Sequence, residues 1–186
     1  MITAAHTFGD CNFTSEDKTY QYSSQIGKAW YGDVRADYIA TDASASGVSI
    51  TNKIREPDGT IRPISGFASE EEISRRVSDY FDGHTKVGVS TGKTTGGLGK
   101  KDISVDKCND LRGEGIRGST TGAKGDSGGP YYSVENGDAF LLGHHVFGTG
   151  GDAGYTVDCG GSRTVMNKSV GMPCYYLSNQ EGFYIG

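Results

Sequence analysis

Apolar residues in this chain come in short runs, cut every few positions by glycine or polar turn residues, the pattern of strands joined by tight turns. Residues 26–31 and 37–40 are two such runs. Residues 51–68 read as a hairpin, because two apolar stretches flank Pro57-Asp58-Gly59, a strong turn signal. The pattern then breaks. Ser69 precedes Glu72 by three residues, a capping box, and Glu70, Glu71 and Glu72 crowd a first turn where the helix dipole favours anions. Ile73, Val77 and Tyr80 or Phe81 recur at helical spacing and Gly83 is a natural stop, so one helix is expected over 69–81. Strands resume from Thr85. Residues 131–134 and 139–142 form a pair around Asn136-Gly137, a hairpin turn. Residues 175–177 and 182–185 read as closing strands, with no terminal helix.

Length and composition narrow the architecture. The 186 residues suffice for one large domain or two small ones. Thirty glycines and eleven tyrosines suit a sandwich or barrel with many tight turns. No run of eighteen apolar residues occurs, so no membrane-spanning helix is implied. A net charge of -5 argues against nucleic acid as a partner. The four cysteines, Cys11, Cys108, Cys159 and Cys174, form no C-x-x-C pair, which argues against a zinc or thioredoxin-type site. One or two disulfides in an oxidising compartment are expected, with three pairings open. The N-glycosylation patterns at Asn12 and Asn167 are short enough to arise by chance.

The chemistry concentrates in Gly125-Asp126-Ser127-Gly128-Gly129-Pro130. A serine hydroxyl becomes a nucleophile when a neighbouring base takes its proton, and the resulting oxyanion needs donors already aimed at it. Glycines around a serine let backbone N–H groups approach a substrate closely. A Gly/Pro turn with an incidental serine is the plainer alternative. Gly92-Lys93-Thr94 suggests a phosphate loop, but that motif needs glycine where Val87 stands, so a strand and turn fit better.

The hexapeptide resembles the nucleophile motif of chymotrypsin/trypsin-like serine proteases, and Thr3-Ala4-Ala5-His6 resembles the context of that family's base. The two motifs stand in the family's order. The resemblance implies an all-β fold of two six-stranded-type antiparallel barrels, spanning residues 1–82 and 83–186, with the helix near their junction. It implies a triad of His6, Asp37 and Ser127, with Asp33 and Asp42 as rivals for the carboxylate, and an oxyanion hole from the N–H groups of Gly125 and Ser127. Asp126 would hold the loop. Val146, Phe147 and Gly148 would pair with the substrate as an added strand. Thr121 would lie at the base of the S1 pocket, where an aspartate would select lysine or arginine. Gly143-His144-His145 is similar to the Gly-x-His of glutamate-specific relatives. This implies that His145 contacts an acidic P1 side chain while His144 faces the other way; a packed barrel histidine is the alternative. Gly92-Lys93-Thr94-Thr95-Gly96 is similar to a Gly-Arg-Thr-Thr-Gly stretch of bacterial members.

Relatives carry further strands before the histidine, so an N-terminally incomplete first barrel is expected. Thr7 stands where the family often has cysteine, and the partner of Cys11 is expected in the missing upstream segment. The implied function is a secreted, monomeric serine endopeptidase acting on polypeptides, with no cofactor, metal, nucleic acid or membrane. An inactive protease-fold binding protein and an unrelated glycine-rich β-domain are the competing classes.

Overall fold

The structure is a computed structural model. It describes residues 2–7, 11–12, 14, 16–21, 24–33, 37–42, 51–79, 83–105 and 113–178. Strands β1 (Ile2–Ala4), β2 (Lys18–Gln21), β3 (Ser24–Asp33) and β4 (Tyr38–Asp42) form an antiparallel sheet in the order β1-β4-β3-β2. The second sheet contains β5 (Lys53–Arg55), β6 (Ile61–Phe67), β7 (Gly83–Gly88), β8 (Gly92–Val105), β9 (Gly113–Gly118), β10 (Pro130–Glu135), β11 (Asp138–Asp158) and β12 (Ser162–Pro173). Its order is β10-β7-β8-β9-β12-β11-β6-β5, and β10 also pairs with β11. The path β10-β7-β8-β9-β12-β11 therefore closes on itself as a six-stranded antiparallel barrel, which removes the free edges of those strands.

The hairpin at residues 51–68 forms as β5 and β6, with Gly59 at φ +90° in its turn. It joins the second sheet, since β6 runs parallel to β11 with Ile64 opposite Ala139. Sheet membership thus changes between Asp42 and Lys53, well before residue 82. The Asn136-Gly137 turn between β10 and β11 has φ of +53° and +94°, matching its sequence signal.

The helix forms as α1 (Glu70–Ser78), with the Ser69 hydroxyl accepting from the Glu72 N–H at 3.2 Å. Its backbone cap is Asp79, and residues 80 and 81 lie outside the described residues. Ile73 is buried among Ala68, Leu98 and Ile116, which docks the helix on the barrel.

Two expectations need correction. Residues 175–177 are not a strand: Tyr175–Ser178 is a short helix, α2, which begins two residues after β12 gives its last pairing, Pro173 with Gly143. It places Tyr175 in the barrel core and stacks Tyr176 on it, ring centroids 4.7 Å apart. The second strand expected there, 182–185, lies outside the described residues. The thiols of Cys159 and Cys174 are free, so no pairing that uses either is formed. Cys174 is buried, its thiol donating to the Ala68 and Leu141 carbonyls.

Three clusters hold the structure together. One buries Ala5, Tyr38 and Ile39 of the first sheet's region against Val105, Val146, Val170 and Met172 of the barrel. This cluster packs residues of the two sheets together. The barrel core packs Leu98, Ile116, Tyr131 and Leu142 with Ile73. A small third cluster seats Ile54 of the hairpin on Tyr132 and Ala139.

The hairpin is also anchored by a buried acid. Glu56 has a fully buried side chain that accepts from Arg62 Nε at 2.5 Å, Lys93 Nζ at 2.6 Å and Tyr132 Oη at 2.6 Å. Burial alone would raise its pKa, but bonds from Lys93, Tyr132 and Arg62 outweigh that and hold it at about 2, below the ordinary 4.5. A folded pKa below the unfolded one contributes stability above pH ~4.5 that is lost as pH falls toward 2. At neutral pH the contribution is about 3 kcal/mol at most. Chemical denaturation at pH 7 and pH 3 is expected to show this loss in the parent and a markedly smaller one in Glu56→Gln. Equal losses in both would remove Glu56 from the acid response.

Candidate active site

The nucleophile loop is built by Asp126 and the barrel wall behind it. The Asp126 carboxylate is fully buried and accepts from Lys86 Nζ (2.6 Å), Thr91 Oγ1 (2.7 Å) and the backbone N–H groups of Ser90, Thr91 and Ala123. Burial would raise its pKa, but the Lys86 charge and these bonds hold it below the ordinary value. Gly88 makes room for it, since a Cβ there would lie 2.2 Å from Asp126 Oδ1. The Asp126 N–H turns back to the Ala123 carbonyl, and the Gly128 N–H donates to the His145 carbonyl. Gly125, at φ +105°, takes the backbone conformation that the motif's glycine permits.

His6 lies in a 3-10 turn, Ala5–Thr7, at the end of β1. Its Nδ1 is 2.8 Å from Asp37 Oδ2, and its backbone N–H donates to Asp37 Oδ1 at 2.9 Å. Its Nε2 is 2.8 Å from Ser127 Oγ, across a sequence separation of 121 residues. Asp37 is buried just before β4 at φ +48°, a left-handed conformation that aspartate tolerates. Of the three candidate aspartates, Asp37 therefore meets His6; Asp33 and Asp42 sit at strand ends opposite Tyr38 and Lys28. With Nδ1–H donating to a buried carboxylate, Nε2 is left as the acceptor for a hydroxyl proton. This arrangement can activate a serine for attack on an electrophilic carbon.

A cavity of about 690 Å³ opens beside Ser127. His6, Gly125, Ser127, Val146, Phe147 and Gly148 line it. Thr121 and His145 do not. The Thr121 hydroxyl accepts from Tyr155 Oη at 3.4 Å. His145 is buried behind Gly122, where an added Cβ would lie 3.2 Å from its Nε2. Its Nδ1 meets Tyr131 Oη at 3.1 Å, Tyr131 Oη donates to Ser169 Oγ at 2.5 Å, and Ser169 meets Thr120, which reaches His84. Its Nε2 has no partner. Burial pushes the His145 pKa down to about 3 and that of His84 to about 4.

Three participants escaped the sequence. His144 donates from Nε2 to the Asp37 carbonyl at 2.9 Å and so props the carboxylate residue from the barrel side. Strand alternation did signal that it faces away from His145. Lys86, in the middle of β7, supplies the charge beneath Asp126. Lys93, in the Gly-Lys-Thr-Thr-Gly stretch, goes to Glu56 instead. Arg163, from the far end of the chain, lines the cavity. Among the described residues, no group of three or more His, Cys, Asp or Glu side chains could hold a metal ion.

Solved structures share this arrangement of strands. *Nocardiopsis* protease matches with a TM-score of 0.66 at 18% identity, covering 96% of this chain and 80% of that one. The fold is chymotrypsin-like. A glutamic-acid-specific serine protease described as using a histidine triad in substrate binding matches at TM-score 0.64 and 18% identity, over 95% and 80% of the two chains. The chymotrypsin of *Cellulomonas bogoriensis* matches at 0.62 and 19%, over 95% and 79%. No protein-family model and no curated protein matches the sequence. The chymotrypsin-like fold is thus shared at low identity, and the whole length of its double β-barrel architecture is spanned to about four fifths.

Proposed function

We propose that this chain is a serine endopeptidase working through an acyl-enzyme on Ser127. The observation that carries the reading is the unbroken run of contacts Asp37–His6–Ser127 at the mouth of the cavity. Ser127 Oγ attacks the peptide carbonyl as His6 Nε2 takes its proton. His6 then returns that proton to the leaving amine, and water repeats the sequence to release the acid. Asp37 holds the imidazole in the required tautomer. The N–H groups of Gly125 and Ser127 receive the oxyanion. The segment Val146–Gly148 offers its backbone to the substrate as an added strand.

The preferred P1 residue is acidic. Among the described residues no carboxylate lines the cavity, and a neighbour of the same fold is described as glutamic-acid-specific. That neighbour is described as using a histidine triad; here His145 is followed by Tyr131 and Ser169, so three histidines are not in line. The partners are polypeptides, and the enzyme works as a monomer. Secretion fits a disulfide-bonded Cys11. Labelling by a fluorophosphonate, located by mass spectrometry, tests the reading. A single adduct on Ser127 is expected. A folded protein that takes up no label would instead be a protease-fold binding protein.

A further inference from the structure

The cavity beside Ser127 has a one-sided charge. Among the described residues lining it, Lys124 and Arg163 carry the permanent charges, both positive. His6 is the other basic side chain, and no Asp or Glu is among those described lining residues. Lys124 is exposed, so water screens it. Arg163 differs. It stands on β12 opposite Val157 and is partly buried, with its Nε cut off from solvent. That Nε has no hydrogen-bond partner, and no ion pair among the described residues uses Arg163. A buried donor left unmatched is costly, and a guanidinium matches a carboxylate with two parallel N–H bonds.

His145 is the rival receptor, and its surroundings count against it. It lies behind Gly122, outside the cavity lining, with Nδ1 committed to Tyr131. Burial keeps it neutral, so it brings no charge to meet a carboxylate. We infer that Arg163 binds the side-chain carboxylate of the P1 residue, while His145 is a positioning residue that supports the cavity wall at Gly122. This rests on the endopeptidase reading with an acidic P1 preference.

Peptide substrates identical except for Glu or Gln at P1 separate charge recognition from size. The parent is expected to favour Glu. R163Q lowers kcat/KM on the Glu peptide by about 10- to 100-fold, and the Gln peptide far less. R163K keeps the charge without the paired geometry and falls between. Because arginine stays ionised, the parent's Glu preference holds from about pH 6 to about pH 9, where a protonated imidazole receptor would lose it. An undiminished Glu preference in R163Q, or one that disappears across that pH range, overturns the assignment. A parent that prefers Lys, Arg or aromatic P1 overturns the acidic reading and Arg163 with it. A parent that cleaves neither peptide defeats the hydrolase reading alone. Calorimetric titration with Ac-Ala-Ala-Glu-NH2 and Ac-Ala-Ala-Gln-NH2 then decides Arg163 separately. Tighter binding of the Glu amide by the parent, with the difference gone in R163Q, supports it; equal binding by the parent overturns it.

Discussion

Lys86→Met is expected to destabilise the protein by about 3–5 kcal/mol, the usual cost of leaving one buried charge without its partner. Both members of the Lys86–Asp126 pair have fully buried side chains, with Nζ 2.6 Å from Oδ2. Lys86 Nζ also donates to Thr91 Oγ1, which itself donates to Asp126. Burial lowers the lysine's pKa, and the Asp126 charge opposes that shift. Removing the ammonium leaves a carboxylate with four remaining donors and no counter-charge in the interior. For a chain of this length the loss corresponds to a fall in Tm of roughly 6–20 °C. Because Asp126 shapes the turn that presents Ser127, activity falls with stability. The double variant K86M/D126N, which deletes the stranded charge, recovers part of the loss. Denaturation of parent, single and double variants checks this; a K86M protein within about 1 kcal/mol of the parent would show that the pair is not what holds the loop.

Ser127→Ala is expected to abolish fluorophosphonate labelling and to lower peptide hydrolysis by ~10³-fold or more, with the melting curve unchanged. His6→Ala should cost about as much, and the double variant little beyond either, because the two groups act as one unit. Among the described residues the Ser127 hydroxyl contacts His6 Nε2 and, at 3.3 Å, the Val146 carbonyl. Its removal therefore costs one bond to a partly exposed histidine and one long bond at the cavity wall. Hydrolysis surviving in S127A at the parent's rate would end the proposed mechanism.

Local signals in the sequence foretold what local physics decides. The Ser69 cap, the Asn136-Gly137 turn and the 51–68 hairpin each depend on a few neighbouring residues, and each formed. The meeting of His6, Asp37 and Ser127 is long-range, and it was legible only through the resemblance that the two motifs carry. What stayed hidden depends on distant chain. The glycine-rich stretch 97–124 holds the end of β8 and all of β9, yet apolar alternation in it is confined to Ile103 and Val105, too short to announce strands. Barrel closure there demands small residues: a Cβ on Gly115 would fall 2.7 Å from Val105 Cγ2. The choice of Lys86 over Lys93 beneath Asp126 is likewise a matter of which strand faces the loop. Nor could spacing alone tell that His145 would sit behind Gly122, since alternation gives a face but not the depth of what lies on it.

The 121 residues between His6 and Ser127 also set a clock. At ribosomal rates of ~5–20 residues per second, on the order of ten seconds separate the emergence of the base from that of the nucleophile. Throughout that interval the growing chain carries a histidine and an aspartate but nothing for them to activate. β6 faces the same delay, because Ser65 and the Ala139 carbonyl it contacts lie 74 residues apart. A polypeptide whose proposed work is cutting polypeptides is thus harmless to its own nascent form, and to the ribosome's other products, until the barrel is nearly complete. The cost of that delay is a hairpin strand with one edge waiting in the open, the stage at which aggregation competes best with folding.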